Sequence, residues 1–99
     1  MAELLSEDTV DAALSERATR WHREGDALLL EVDRGDFAGA LAFVDRVGAL
    51  AEQANHHPDI DIRWSKVTLR LSTHSAGGLT QRDLDVAAEV DALLEEGVA

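Results

Sequence analysis

The sequence contains no cysteine, which excludes disulfide bonds, thiolate metal sites and cysteine nucleophiles together. It has nine basic residues against twenty acidic ones, which gives a formal net charge of −11 at pH 7. This negative charge repels nucleic-acid phosphates and anionic membrane surfaces, so neither is an expected partner. No apolar run approaches the length of a transmembrane helix, and the first residues lack the features of a signal peptide. We therefore expect a cytoplasmic protein.

Proline occurs only once, at Pro58, and no proline-rich or serine-rich linker divides the chain. Its 99 residues are enough for one small domain, which we expect to span residues 1–99. A chain of this size hides roughly 60–65% of the surface that its unfolded form exposes, so association would help to stabilise it. The hydrophobic fraction of 45% favours a folded domain over a disordered chain.

Three helices are predicted from hydrophobic spacing and capping residues. Ser6 can cap the first, whose apolar residues Val10, Ala13, Leu14 and Ala18 recur at helical spacing. Asp36 can cap a second helix that runs to about Ala54, and residues 80–83 match the capping pattern of a third. The positions expected to be buried in the second helix are Phe37, Ala40, Leu41, Val44, Val47 and Ala51.

Two hairpins are predicted from alternating apolar and polar residues. Gly25-Asp26 separates a short segment around Trp21 from a strand over residues 27–32. Ser65-Lys66 is the expected turn of a second hairpin that spans residues 60–71. The resulting order of elements is typical of an α+β fold with a four-stranded antiparallel sheet and three helices packed on one face.

Three of the four histidines fall where predicted elements end. His56 and His57 follow the second helix, and His74 ends the fourth strand. Histidine gives and takes protons near neutrality because its unperturbed pKa is about 6.5. If the end of that strand lies beside the end of the helix, the three imidazoles surround one small cavity. The cluster therefore suggests either acid–base chemistry or a metal site.

Two carboxylates could orient these imidazoles. Glu52 and His56 are four residues apart, so on the last turn of a helix they would share one face. Asp83 could orient His74, because the glycine pair before the last helix lets the loop fold back. Each carboxylate also has an ordinary structural explanation. Glu52 could form a surface ion pair, and Asp83 lies in a helix first turn, where negative charge is favoured.

Zinc is the main alternative to acid–base chemistry. Three histidines and a glutamate could satisfy a catalytic zinc ion, which takes three protein ligands and a water. Adjacent histidines seldom converge on one ion, however, and neither His-x-His nor His-x-x-x-His occurs in the chain. We therefore expect no metal.

The histidines belong to a longer pattern. Glu52 is followed by His56-His57-Pro58, by an aromatic residue at Trp64, by Thr73-His74 and by Asp83. This pattern resembles the signature of the pterin-4a-carbinolamine dehydratases.

The resemblance covers nearly the whole chain, from about Ser6 to Leu94. Trp21 and the pair Asp36-Phe37 also fit the family's layout. The departures are mild, because Trp64 stands where tyrosine is common and Asn55 where aspartate also occurs.

The resemblance implies an antiparallel four-stranded sheet backed by three helices, assembled into homodimers or homotetramers. It implies a hydro-lyase that dehydrates 4a-hydroxytetrahydropterin to quinonoid dihydropterin without a metal or organic cofactor. Such an enzyme recycles the pterin used by an aromatic amino acid hydroxylase. Some members of the family act instead as dimerisation partners or assembly factors, so a non-catalytic assembly module is the alternative.

On this basis the expected catalytic residues are His56, His57, His74 and Glu52. His56, oriented by Glu52, and His74 are the expected acid–base groups, and His57 would complete the proton relay or bind the substrate. Asp83 is the expected orienting group for His74. Tryptophan is more often a core anchor than a ligand wall, so Trp21 and Trp64 have that second interpretation. The candidate substrate-binding residues are Asn55, Pro58, Ser72, Thr73, Ser75 and Trp21.

Overall fold

A computed structural model describes residues 3–17 and 19–96 of the chain. It confirms the predicted order of helix, two strands, helix, two strands and helix. Within this part of the chain, no helix is both long enough and apolar enough to cross a membrane. The elements are α1 Glu7–Ser15, β1 His22–Glu24, β2 Ala27–Asp33, α2 Phe37–Ala54, β3 Asp59–Arg63, β4 Lys66–Leu71 and α3 Gln81–Glu95, with a 3₁₀ turn over His74–Ala76 before α3.

The four strands form one antiparallel sheet in the order β1-β2-β4-β3. Side chains alternate between the two faces of a strand, so only one face of β2 and β4 joins the core. The buried residues on that face are Leu28, Leu30, Val32, Val67, Leu69 and Leu71. They form a single cluster with apolar residues of all three helices. The structure is therefore the α+β fold that the sequence predicts.

The helix caps are confirmed. Ser6 and Asp36 each accept a hydrogen bond from the backbone N–H three residues later, at 3.1 and 2.7 Å. At the start of α3, the side chain of Asp83 accepts the backbone N–H of Thr80 at 2.9 Å, as in a capping box. Ala18, which we expect in the first helix, lies outside the described residues.

The buried face of α2 differs from the prediction at two positions. Phe37 and Leu41 are exposed, whereas Phe43 is completely buried. The core-facing stripe contains Ala40, Phe43, Val47 and Ala51. Leu41 is one residue past Ala40, about 100° further round the helix, and so points away from the sheet. This leaves two large apolar side chains on the surface.

The second hairpin turns one residue earlier than predicted. Arg63 pairs with Lys66, so the turn is Trp64-Ser65 rather than Ser65-Lys66. Trp64 has a φ of 54° and is 70% exposed. The core-anchor interpretation of Trp64 is therefore wrong, because a turn residue outside the strand no longer faces the helices.

Candidate active site

The site begins at the C-terminus of α2. Asn55 adopts the left-handed conformation, with φ 50° and ψ 43°, which asparagine tolerates better than most residues. Its N–H binds the carbonyl of Glu52 at 3.2 Å, and the N–H of His56 binds the carbonyl of Ala51 at 3.1 Å. These are the two bonds of a Schellman motif, which ends a helix and redirects the chain. His56 therefore leaves the helix and turns inward, where it is only 7% exposed.

His56 is held by a buried hydrogen-bond network centred on Asp83. Its Nε2 lies 2.6 Å from Oδ1 of Asp83, which is fully buried in the first turn of α3. The other carboxylate oxygen accepts the hydroxyl of Thr73 at 2.7 Å and the backbone N–H of Thr80 at 2.9 Å. The hydroxyl of Thr80 lies 2.8 Å from that of Thr73. Three donors thus compensate for the water that a buried carboxylate loses.

This network also fixes the tautomer of His56. A carboxylate can only accept hydrogen bonds, so Nε2 carries the proton that points at Asp83. Nδ1 is then the acceptor nitrogen of the neutral ring. If Nδ1 takes up a proton, the adjacent negative charge of Asp83 stabilises the imidazolium that forms.

The two predicted carboxylate–histidine pairs are wrong, because each carboxylate has a different partner. Glu52 pairs with His57, at 2.5 Å between Oε2 and Nε2, and not with His56. Asp83 pairs with His56 and not with His74. The left-handed residue at 55 ends the helix before His56, so the four-residue helical spacing that the first prediction required does not exist.

The three site histidines line one cavity of about 290 Å³. His74 reaches it because the chain after β4 folds into a closed loop, in which the N–H of Thr73 binds the carbonyl of Gly78 at 2.9 Å. The end of the fourth strand thus lies beside the end of α2, which is the condition under which the three imidazoles surround one cavity. The lining residues are Asn55, His56, His57, Ser72, Thr73, His74, Ser75 and Arg82.

Two of the candidate substrate-binding residues do not line this cavity. Trp21 belongs to the hydrophobic core and is only 3% exposed, which agrees with the core-anchor interpretation. Pro58 is half-buried beside the histidine pair but outside the lining. The other four candidates, Asn55, Ser72, Thr73 and Ser75, do line it.

Sequence reasoning missed Arg82. Its Nη2 donates a hydrogen bond to the carbonyl of Asn55 at 2.5 Å, and its side chain forms part of the cavity wall. One signal was available in the sequence. A cation in the first turn of a helix is disfavoured by the helix dipole, so an arginine there suggests a partner elsewhere.

The described residues contain no group of three or more histidine and carboxylate side chains placed to hold a metal ion. Nε2 of His56 and Nε2 of His57 each contact a carboxylate, and the two histidine–carboxylate pairs are separate.

The family model for pterin 4 alpha carbinolamine dehydratase matches residues 3–93. The chain belongs to this family. A Nocardia farcinica protein provisionally named a pterin-4-alpha-carbinolamine dehydratase is 53% identical over 91 residues, which are 92% of this chain and 95% of that protein. A similarly named protein of Roseiflexus castenholzii is 49% identical over 95% of this chain and its own full length. The dehydratase family resemblance is therefore confirmed over nearly the whole chain.

Two solved structures share the dehydratase fold. The crystal structure of a transcriptional coactivator/pterin dehydratase from Brucella melitensis has a TM-score of 0.85 and 27% identity, covering 92% of this chain and 98% of that one. A pterin dehydratase-like protein identified as a RuBisCO assembly factor in the alpha-carboxysome has a TM-score of 0.61 and 28% identity. The match covers 78% of this chain and 89% of the assembly factor's chain. Proteins of this fold thus include both a dehydratase and an assembly factor by name.

Proposed function

We propose that this protein dehydrates 4a-hydroxytetrahydropterin to quinonoid dihydropterin, with histidines as the acid and the base. The observation that carries the proposal is the convergence of His56, His57 and His74 on one cavity, with His56 locked by the buried Asp83. Membership of the dehydratase family agrees with it.

The reaction needs one proton delivered and one removed. An acid protonates the 4a-hydroxyl, the C4a–O bond breaks, and the lone pair of the ring nitrogen N5 forms a C4a=N5 double bond as water leaves. A base then takes a proton from the pterin ring. The sum is loss of water, without oxidation or reduction, and the mechanism uses neither a metal nor an organic cofactor.

We assign the base to Nδ1 of His56, because Asp83 holds the ring's other proton and stabilises the imidazolium. We assign the acid to His74, which is exposed and can be reprotonated from water. His57, paired with Glu52 at the rim, completes the proton relay or binds substrate.

Four residues around the cavity are the proposed contacts for the polar edge of the pterin: Asn55, Ser72, Thr73 and Ser75. Two of their hydroxyls already have partners. That of Thr73 donates to Asp83, and that of Ser72 donates to the carbonyl of Asp26 at 2.8 Å. The side chains of Asn55 and Ser75 are therefore the better donors to the substrate.

The test is direct. A phenylalanine hydroxylase generates 4a-hydroxytetrahydropterin in place, and its ultraviolet decay is followed with and without this protein. We expect acceleration that falls about 10²–10⁴-fold in His56→Ala and in His74→Ala. His22→Ala is the matched control, because His22 lies on β1 and pairs with Glu24 outside the cavity. Wild-type rates from both site variants would contradict the assignment.

The same proposal places the protein in the cytoplasm as a homodimer or homotetramer that works alongside an aromatic amino acid hydroxylase. The alternative is a non-catalytic assembly module. The exposed side chains of Phe37, Leu41 and Trp64 favour it, as does the assembly factor with the same fold. If well-folded protein gives no acceleration in the decay assay, this alternative becomes the preferred function.

A further inference from the structure

The C-terminus of α2 lacks a cation of its own. The last carbonyl groups of a helix have no intrahelical partners and carry partial negative charge, which a nearby basic side chain stabilises. The last turn of α2 contains no basic residue, and it contains the acidic Glu52. A positive charge that stabilises this helix end must therefore come from another element.

Arg82 of α3 supplies that charge. Its guanidinium donates to the carbonyl of Asn55, the residue whose left-handed conformation ends α2. Arginine is the second residue of α3, where the dipole of its own helix opposes a positive charge. The favourable interaction of the Arg82 guanidinium with the end of α2 therefore explains why an arginine occupies an unfavourable position in α3.

Arg82 and its neighbour Asp83 bind two consecutive residues after α2, Asn55 and His56. Asp83 binds the imidazole of His56, and Arg82 binds the carbonyl of the peptide group that leads into His56. The first turn of α3 thus fixes both the ring and the backbone of this histidine.

We propose that Arg82 is a positioning residue that holds His56 and His57 in the geometry of the site. It does so by tying the left-handed turn at Asn55 to the start of α3. The inference rests on the proposed dehydratase function for its effect on rate, but not for its effect on structure.

Amide hydrogen exchange tests the structural part without any substrate. The amides of Asn55 and His56 make the two bonds of the Schellman motif, so their exchange reports opening of the turn. In Arg82→Ala we expect these two amides to exchange about tenfold faster, while buried α3 amides such as Val90 keep their rates. Arg82→Lys keeps a charged donor and should restore part of the protection. Gln81→Ala is the control, because Gln81 is also exposed in the first turn of α3 but binds Asp85.

Kinetics test the functional part. For a positioning residue, Arg82→Ala should lower kcat about tenfold with KM within about twofold, and Arg82→Lys should recover most of the rate. A raised KM with unchanged kcat would overturn the inference, because it would mean that Arg82 binds the substrate directly. Unchanged exchange at residues 55 and 56 would overturn it as well. If exchange rises in a protein that shows no dehydratase activity, the positioning role stands and the proposed function fails.

Discussion

Two neighbouring histidines each bind a carboxylate at nearly the same distance, but in opposite surroundings. The His56–Asp83 pair is 2.6 Å long, and its side chains are 8% and 0% exposed. The His57–Glu52 pair is 2.5 Å long, and its side chains are 54% and 78% exposed. Water and salt screen the second pair, whereas the first depends on protein groups alone. Distance therefore says little about what each pair contributes, and burial with its hydrogen bonds says much more.

The largest loss of stability and activity should follow when the buried carboxylate, Asp83, is replaced by an uncharged amide. In Asp83→Asn, the side-chain amide has one oxygen and cannot accept from His56, Thr73 and Thr80 together, so either a buried donor loses its acceptor or His56 is forced into the other tautomer. We expect a loss of about 3 kcal/mol in the free energy of unfolding and at least a roughly 10²-fold loss of activity. Urea unfolding and the decay assay measure the two effects. Asp85→Asn, at an exposed position of the same helix, is the control, and equal stability of the two variants would refute the buried network.

A smaller loss of stability and activity should come from Thr73, which binds the oxygen of Asp83 that does not contact His56. Thr73→Val keeps the shape of the side chain but removes the hydroxyl that donates to Asp83. We expect a loss of about 1–2 kcal/mol in the free energy of unfolding, and a few-fold drop in kcat because Asp83, the partner of His56, is held by one hydrogen bond fewer. Thr73→Ser retains the hydroxyl and should behave like the wild type. A Thr73→Ser variant as unstable as Thr73→Val would show that the methyl group, rather than the hydroxyl, is what matters.

The smallest effect should come from the exposed pair. Glu52→Gln should change the free energy of unfolding by less than about 0.5 kcal/mol, because an exposed ion pair gains little in water. Any change in activity should be a few-fold at low ionic strength and should shrink as salt is added. Activity measured at two salt concentrations checks this. A loss as large as that of Asp83→Asn would mean that Glu52 takes part in the chemistry, and the contrast between the two pairs would fail.

The fold could be predicted because its determinants are local. Ser6, Asp36 and Asp83 form caps with residues only three positions away, and alternation along β2 and β4 identifies their buried face. The wrong predictions arose where a shift of one residue changes the direction in which a side chain points. The turn at Trp64-Ser65 removed Trp64 from its strand, and 100° of helix rotation separates the buried Ala40 from the exposed Leu41.

Most of the residues that line the site could be predicted from the sequence, but their hydrogen-bond partners could not. Spacing along the chain located the three histidines, and the cavity contains all of them. Their partners depend on the conformation of Asn55, which directs His56 towards α3 and leaves His57 to reach Glu52. A single backbone conformation therefore decided both pairs. Arg82 escaped notice because its partner is a backbone carbonyl 27 positions away, which no side-chain pattern records.

The bond between His56 and Asp83 also has a consequence for folding. Its two residues are 27 positions apart, and β3, β4 and the loop that carries His74 all lie between them. The bond can form only after this hairpin has paired with the sheet and α3 has docked, since its two partners lie at the ends of different helices. Activity should therefore return last during refolding, in step with completion of the native topology and later than the recovery of helix content. A chain in which α3 is undocked would hold all three site histidines and still have no assembled site.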